Sequence, residues 1–242
     1  MASRQRVLEI FVEAVDSLID DFDLIDFLQR LSTRCVELLD VAAVGLMIAD
    51  QHGELQVIAA SDEHTRLLEL FALQHEQGPC VECYRTGRPQ LDVDLGSPRA
   101  VQTFGPFAAR ARAAGFTTTH ALPMRLRHQV IGAMNLFQAT KGRLTESDTQ
   151  VAQALADVAT IAILQQRTIE QAYVDKAQLQ AALHSRVVIE QAKGVLAERR
   201  QIGLDEAFDI LRGHARAHRI RLADLARQVV QGAFDTDTLD VR

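Results

Sequence analysis

Apolar residues recur at different periods along this chain, and the periods divide its first part into helices and strands. They recur every three or four residues in 4–19 and in 25–39, which predicts two amphipathic helices. Residues 41–49 form a continuous apolar run, and 55–60 follow a short polar turn, so we predict a β-hairpin. Asp62 stands where it can cap the N-terminus of the next predicted helix.

Proline and glycine interrupt the middle of the chain. The segment 79–87 opens with proline and closes with glycine, which predicts a short helix, and a strand is predicted over 90–93. Pro98 and Pro106 then predict an irregular, mobile segment before a helix over 107–114.

A second hairpin is predicted after this segment. Residues 117–126 and 129–137 alternate apolar and polar positions on either side of a tight turn at Arg127 and His128. Thr145, followed three residues later by Asp148, forms a capping pattern that predicts the start of a long helix.

Nine positions in the long helix are spaced alternately by three and four residues, and seven of them are apolar. This spacing is typical of a coiled-coil seam and predicts dimerisation beyond residue 163, while the polar seam positions 165 and 176 weaken the pairing. We expect residues 155–162 to lie on the sheet of their own domain instead. The nine positions are Leu155, Val158, Ala162, Gln165, Ile169, Ala172, Lys176, Leu179 and Leu183.

Another amphipathic helix is predicted around residues 185–196, and Lys193 and Gly194 lie off its apolar stripe. A glycine inside a helix costs about 1 kcal/mol relative to alanine, so its presence needs a reason. Two interpretations remain open: close approach by another molecule, with Lys193 favouring an anion, or tight packing against a neighbouring helix.

One set of residues between 185 and 232 forms a pattern in a fixed order: Arg186, Gln191, Ala192, Lys193, Gly194, Leu196, Glu206, Ala207, Phe208, Leu211, Arg212, Ala215, Leu222, Ala226, Val229 and Val230. In these residues the stretch 185–232 resembles an ANTAR domain, the helical module of bacterial transcription antiterminators. It implies a three-helix module that binds paired RNA stem-loops in a nascent transcript and prevents an intrinsic terminator from forming. Arg219 departs from the family, which usually has asparagine there, and Ala197 stands where methionine is frequent.

The candidate RNA-binding residues combine this pattern with the exposed cations expected to contact phosphates and bases. Aromatic residues are scarce in the module, and Phe208 lies at a helical core position, so we interpret it as a packing residue. The candidates are Gln191, Ala192, Lys193, Gly194, Arg199, Arg212, Arg216 and Arg219.

The preceding stretch, about 15–165, resembles a GAF domain in the order of its predicted elements and of several short motifs. The resemblance implies an antiparallel sheet with a pocket. Such domains bind a small molecule or serve as scaffolds for dimers. The sequence pattern of the members that bind cyclic nucleotides is absent, and no cofactor is assigned. The motifs are Gly78, Pro79, Cys80, Thr86, Gly87 and the segments 121–124, 131–137 and 144–148.

The predicted fold is therefore an α+β GAF domain, with helices flanking an antiparallel sheet, followed by a coiled-coil helix and an all-α three-helix ANTAR bundle. The predicted boundaries are 1–165 for the GAF sensor with its N-terminal helix and 155–184 for the signalling helix. The RNA-binding ANTAR domain is predicted over 185–234, and a C-terminal tail over 235–242.

Charge is unevenly divided between these parts. The chain has 242 residues and a net charge of −6, yet 185–234 holds nine Lys or Arg against six Asp or Glu, which is +3 and leaves −9 elsewhere. A basic module on an acidic carrier fits nucleic-acid contact through one end.

No apolar run is long enough to span a membrane and no signal peptide is recognisable, so we expect a cytoplasmic protein.

Three cysteines, an odd number, argue against a disulfide scaffold. Cys80 and Cys83 form a C-x-x-C motif near a helix N-terminus, where a thiol pKa can fall, and they are the candidate redox residues.

His214 and His218 have metal-compatible spacing without a third ligand, so we interpret them as solvated residues and predict no metal site. No acid–base pair, phosphate loop or nucleophile elbow is recognisable, and we expect no enzymatic activity.

These observations predict an RNA-binding antitermination regulator whose GAF domain senses a small molecule or a protein partner. The signal would control dimerisation and the binding of RNA stem-loops by the ANTAR domain. Two alternatives remain: a DNA-binding regulator with a helix-turn-helix-like bundle, and a cysteine-based redox GAF protein.

Overall fold

The computed structural model describes residues 12, 23–127, 129–140 and 142–236. It divides into two compact units, Met1–Arg167 and Thr168–Arg242. The predicted helix over 4–19 lies outside the described residues, apart from Val12, and so does the predicted tail beyond residue 236.

The first unit is a mixed α/β domain built on a five-stranded antiparallel sheet with strand order β2-β1-β5-β4-β3. Both predicted hairpins are confirmed, since β1 pairs with β2 and β4 with β5. Its elements are α1 (Leu24–Leu39), β1 (Ala43–Ala49), β2 (Leu55–Ala60), α2 (Glu63–Gln74), α3 (Pro79–Thr86), β3 (Gln90–Asp94), α4 (Pro98–Ala113), β4 (Thr118–Leu126), β5 (Gln129–Gln138) and the start of α5 (Glu146–Arg200).

Each face of the sheet is covered by helices, because successive side chains of a strand point to opposite faces. Val44 and Leu46 of β1 join the core formed with α1 and the start of α5. Ala43 and Met47 of the same strand join a second core formed with α2, α3 and α4. Burial on both faces explains why β1 reads as a continuous apolar run.

The prediction of an irregular segment between Pro98 and Pro106 is wrong, because α4 begins at Pro98. The Ser97 hydroxyl caps this helix by accepting a hydrogen bond from the Ala100 amide at 3.1 Å. Proline is favourable at the first helical position because the backbone N–H that it lacks would have no partner within the helix. Pro106 lies just after Phe104, whose backbone is non-helical (φ −127°, ψ 31°), so the helix bends there instead of ending.

The long predicted helix is α5, and its predicted capping pattern is confirmed. The Thr145 hydroxyl accepts from the Asp148 amide at 3.1 Å, while the Asp148 carboxylate accepts from the Thr145 hydroxyl at 2.7 Å. As expected, Leu155 and Ala162 are buried in the core of the first unit. Further along the predicted seam, Leu179 and Leu183 are exposed, with 62% and 56% of their surface accessible.

The second unit contains the three predicted helices: the last part of α5, α6 (Leu204–Ala217) and α7 (Leu222–Val230). Apolar side chains at helical spacing on all three helices form one core. Its buried members are Val188, Ala192, Leu196, Ala207, Ile210, Leu211, Ala215, Leu225, Ala226 and Val229.

Candidate nucleic-acid interface

Two cations from different helices of the second unit lie over one aromatic ring. The Lys193 Nζ of α5 is 5.6 Å from the centroid of the Phe208 ring on α6, and the Arg212 Cζ, one turn further along α6, is 5.5 Å from it. Both distances are within the range of cation–π attraction. The structure therefore brings together two residues that the sequence places 19 positions apart.

Each of these cations also has a carboxylate partner on its own helix. Lys193 Nζ donates to the two Glu190 carboxylate oxygens at 2.9 and 3.1 Å, and Arg212 donates to Asp209 at 2.8 Å. The Lys193 side chain is only 14% exposed, whereas that of Arg212 is 47% exposed. The two carboxylates neutralise the cations in the free protein.

The structure excludes one of the two interpretations of Gly194. A Cβ built on Gly194 meets no described atom within 4 Å outside its own helix, and the residue is exposed. Tight packing against a neighbouring helix is therefore the wrong interpretation. The open surface beside Lys193 leaves room for another molecule.

The other candidate RNA-binding residues occupy several environments. Ala192 is fully buried in the core of the second unit, so its methyl group does not reach the surface as the RNA-binding assignment requires. Gln191, Arg216 and Arg219 are exposed. Arg219 has a positive φ of 54° in the turn between α6 and α7.

Arg199 and its neighbour Arg200 contact the C-terminal end of the described chain. Arg199 donates to the Thr236 hydroxyl at 3.4 Å, and Arg200 donates to the Thr236 carbonyl. Thr236 is buried, and the half-buried Phe234 packs against the helical core. Residues up to Thr236 thus belong to this unit, although the tail was predicted to begin at 235.

His214 and His218 stack on each other, with ring centroids 4.0 Å apart. The His214 ring also meets the Phe234 ring edge-on at 5.2 Å. Within the described part of the chain, no cluster of three or more His, Cys, Asp or Glu side chains is arranged to hold a metal ion. His214 is half-buried and contributes to packing, while His218 is exposed as predicted.

In the first unit, the two candidate redox cysteines are buried in the second core of the sheet. Burial raises the pKa of the Cys80 thiol well above its ordinary value, and the nearby Glu69 carboxylate raises it further. Burial likewise raises the pKa of Cys83 to about 12. The lowering of a thiol pKa that a helix start can produce does not occur here, because removal from water outweighs any effect of the helix terminus.

A buried polar cluster in this core has no counterpart in the sequence analysis. The Glu69 carboxylate accepts a hydrogen bond from Asn135 Nδ2 at 2.6 Å, and the Cys80 thiol lies 3.6 Å from it. Burial raises the pKa of Glu69 to about 7, while the hydrogen bond from Asn135 lowers it. Gly45 makes room for the carboxylate, since a Cβ there would overlap with Glu69 Oε1. A glutamate in an amphipathic helix gave no signal of burial.

A surface cleft of about 610 Å³ lies between β3 and the first half of α4. Behind its β3 wall, the buried His120 accepts from the Asp92 amide at 3.0 Å, and burial lowers the pKa of this histidine. The cleft is lined by three acidic residues and one arginine among other side chains: Glu82, Asp92, Asp94, Ser97, Arg99 and Phe104.

Comparison with protein families finds two matches in this chain. A GAF domain model matches residues 23–164, and an ANTAR domain model matches residues 177–230. No curated protein matches the chain. Among the described residues, no helix is long and apolar enough to cross a membrane.

Solved structures share the fold of the first unit at low sequence identity. The GAF domain of a phosphoenolpyruvate-protein phosphotransferase from Coxiella burnetii is 17% identical, with a TM-score of 0.54, and the match covers 69% of this chain and 98% of that one. The phycoerythrobilin-bound GAF domain of a cyanobacterial phytochrome is 18% identical, with a TM-score of 0.52, covering 70% and 98%. Free methionine-R-sulfoxide reductase from Neisseria meningitidis is 14% identical, with a TM-score of 0.52, covering 69% and 91%.

Proposed function

The chain belongs to the GAF domain family and carries an ANTAR domain in residues 177–230, and from this premise we propose that it is an RNA-binding transcription antitermination regulator. ANTAR domains bind RNA and GAF domains bind small-molecule signals. In this proposal the first unit receives the signal, and the second binds paired stem-loops in a nascent transcript.

The observation that carries the proposal is the convergence of Lys193 and Arg212 on the Phe208 ring. Both cations belong to the candidate RNA-binding set, and they come from two helices of the module. Placed together beside an open helix surface at Gly194, they can contact neighbouring phosphates or the edges and faces of splayed bases. Arg216 and Arg219 extend the basic surface along α6 and into the following turn.

For the sensor, we take the cleft between β3 and α4 as the binding site. Its volume, about 610 Å³, is in the range that small ligands occupy in proteins. Three carboxylates against one guanidinium give the cleft a negative balance, which favours a cationic or hydrogen-bond-donating ligand. The ligand must bind one arrangement of the protein more tightly than another in order to change its output.

The output is proposed to require a homodimer paired through α5 beyond residue 167. In the described chain the seam residues Ile169, Leu179 and Leu183 are all exposed, and Tyr173 is 68% exposed beside them. A helix bearing such a stripe buries its apolar surface by pairing with a second copy. Two copies would present two ANTAR modules, which matches a target made of two stem-loops.

The test is filter binding of the full chain to a library of transcripts carrying two hairpins with randomised loops, and in parallel to duplex DNA. Lys193→Ala and Arg212→Ala are each expected to weaken RNA binding by about tenfold, because each removes a charged contact. Arg227→Ala is the matched control, since Arg227 is 46% exposed and pairs with Asp224 at 3.0 Å, but does not lie over Phe208.

Preference for duplex DNA, or equal loss of binding in all three variants, would contradict the proposal. The first result would favour the DNA-binding alternative. The redox alternative has less support, because the burial of Cys80 and Cys83 keeps both thiols protonated near neutral pH.

A further inference from the structure

We propose that Phe208 is the positioning residue of the RNA contact surface, and that Gly194 and Gly213 open the helix backbones beside its two cations to close approach by RNA. In this arrangement the ring holds Lys193 and Arg212 at a fixed separation, and Gly213 becomes an RNA-contact residue in addition to the candidate set. The inference rests on the proposed function and assigns roles within the same surface.

The prediction that Phe208 is a packing residue is wrong in the structure. Ten buried apolar side chains form the core of the second unit and six half-buried ones pack against it, and among these described residues Phe208 belongs to neither group. Its ring is half-buried at the edge of the module. A large aromatic side chain kept outside the core requires another reason, and its contacts with the two cations supply one.

The ring restricts both cations more than their ion pairs would alone. Ion pairs at i, i+3 on a helix are weak, and at the 47% exposed Arg212 such a pair alone leaves a long side chain mobile. Phe208 adds a cation–π contact to each of them, at 5.6 Å for Lys193 and 5.5 Å for Arg212. Because one cation lies on α5 and the other on α6, the ring also couples the two helices. A phosphodiester chain or a loop base would therefore meet two charges already in place.

The glycines supply a second, independent observation. Gly194 directly follows Lys193 on α5, and Gly213 directly follows Arg212 on α6. Both glycines are inside helices and exposed, and a Cβ on either one meets no described atom within 4 Å. Helical glycines that no packing contact requires are unfavourable for folding, and their repetition beside both cations indicates a functional requirement for bare backbone.

The role of Phe208 is tested by measuring the affinity of the full chain for the selected two-hairpin RNA. Phe208→Leu keeps an apolar side chain but removes the aromatic face, and is expected to weaken binding roughly 3- to 30-fold. Phe208→Tyr keeps the face and is expected to bind like the wild-type chain. Phe234→Leu is the matched control, because Phe234 is half-buried in the same module and its ring meets that of His214, whereas Lys193 and Arg212 lie over Phe208.

A double-mutant cycle separates positioning from general destabilisation. If the ring acts through Lys193, then Phe208→Leu should cost much less affinity in the Lys193→Ala background than in the wild-type chain. Additive losses would mean that Phe208 acts independently of the cation, and would overturn its positioning role.

The glycines give a test in which stability and binding move in opposite directions. Gly213→Ala is expected to raise the melting temperature, because alanine favours the helix, and yet to weaken RNA binding by roughly tenfold, because its methyl group blocks close approach. Gly105→Ala, which also meets no atom within 4 Å but lies in α4 of the first unit, is the control and should leave RNA affinity unchanged.

The outcomes distinguish this inference from the function on which it rests. A wild-type chain that binds no RNA would remove both proposals. RNA binding lost in Lys193→Ala but unchanged in Phe208→Leu and Gly213→Ala would remove only this one. Should Phe208→Leu fail to fold, Phe208→Met removes the aromatic face in its place and should weaken RNA binding to a similar degree, while Gly213→Ala still tests the glycines.

Discussion

The Glu69 carboxylate accepts a 2.6 Å hydrogen bond from Asn135 Nδ2 at a position where both side chains are buried. This contact joins α2 to the central strand β5, and the carboxylate has no cation among its described hydrogen-bond and ion-pair partners. Burial therefore makes its ionised form unfavourable, which raises its pKa from 4.5 to about 7.

We expect the stability of the first unit to fall as pH rises from about 4.5 to about 7. In this window the folded chain holds a proton on Glu69 that the unfolded chain has lost, so increasing pH favours unfolding, and the effect levels off above the folded pKa. Glu69→Gln keeps the acceptor for Asn135 without the charge. It should raise the free energy of unfolding at about pH 8 by up to roughly 3 kcal/mol, and by much less at about pH 5.

Urea unfolding at both pH values measures this difference. Glu54→Gln provides the control, because it removes a carboxylate that is exposed in the turn between β1 and β2. Equal stability changes for Glu69→Gln at the two pH values would contradict the prediction.

The three cysteines should be unreactive in the folded chain. All three are free and buried, and burial raises the pKa of Cys35 and Cys83 to about 12 and that of Cys80 well above its ordinary value. Reaction with Ellman's reagent should therefore proceed at the rate of opening or unfolding and accelerate in urea. Rapid modification of Cys80 or Cys83 without denaturant would revive the redox alternative.

Removing the carboxylates that pair with the two cations should strengthen RNA binding. Glu190→Gln and Asp209→Asn each free a cation and remove a negative charge next to a polyanion, so we expect affinity to rise about two- to fivefold at low salt and less at high salt. Asp224→Asn, which removes the partner of Arg227, is the matched control. Weaker RNA binding in the first two variants would mean that the ion pairs hold the cations in their binding geometry.

The exposed seam should set the oligomeric state. The double variant Leu179→Glu, Leu183→Glu places like charges at two positions of the seam, and it should therefore convert a dimer to a monomer. Because both leucines are exposed in the single chain, the variant should not unfold either unit. Sedimentation equilibrium measures the mass, and Leu204→Glu, at an exposed leucine outside the seam, is the control. A wild-type chain that is monomeric at micromolar concentration would contradict the proposed pairing.

Periodicity predicted the helices and hairpins well, because most of them carry one apolar face or a continuous apolar run. It was less successful where one residue type serves opposite purposes. Pro98 was interpreted as a helix breaker, although after Ser97 it starts a helix. The seam pattern of α5 also passes without a break from Leu155, which is fully buried, to Leu179, which is exposed, so spacing alone cannot show what covers it.

The candidate interface depends on contacts that spacing does not encode. Lys193 and Arg212 could be chosen from the ANTAR pattern, but their convergence on Phe208 depends on how α5 packs against α6. Glu69 and Asn135 are separated by 66 positions, and neither gave a signal of pairing. The redox alternative for Cys80 stayed open at the level of the sequence, because the thiol pKa depends on an apolar surrounding that the sequence does not reveal.

The contact between Arg200 and Thr236 has a practical consequence for anyone who isolates the RNA-binding module. The ANTAR match ends at residue 230, but Phe234 packs against the helices and Thr236 accepts hydrogen bonds from Arg199 and Arg200. A fragment trimmed to the match would release two guanidinium groups and uncover apolar surface beside His214. Such a fragment would bind any polyanion more readily than the intact chain, and its affinity would overstate the selectivity of the natural module.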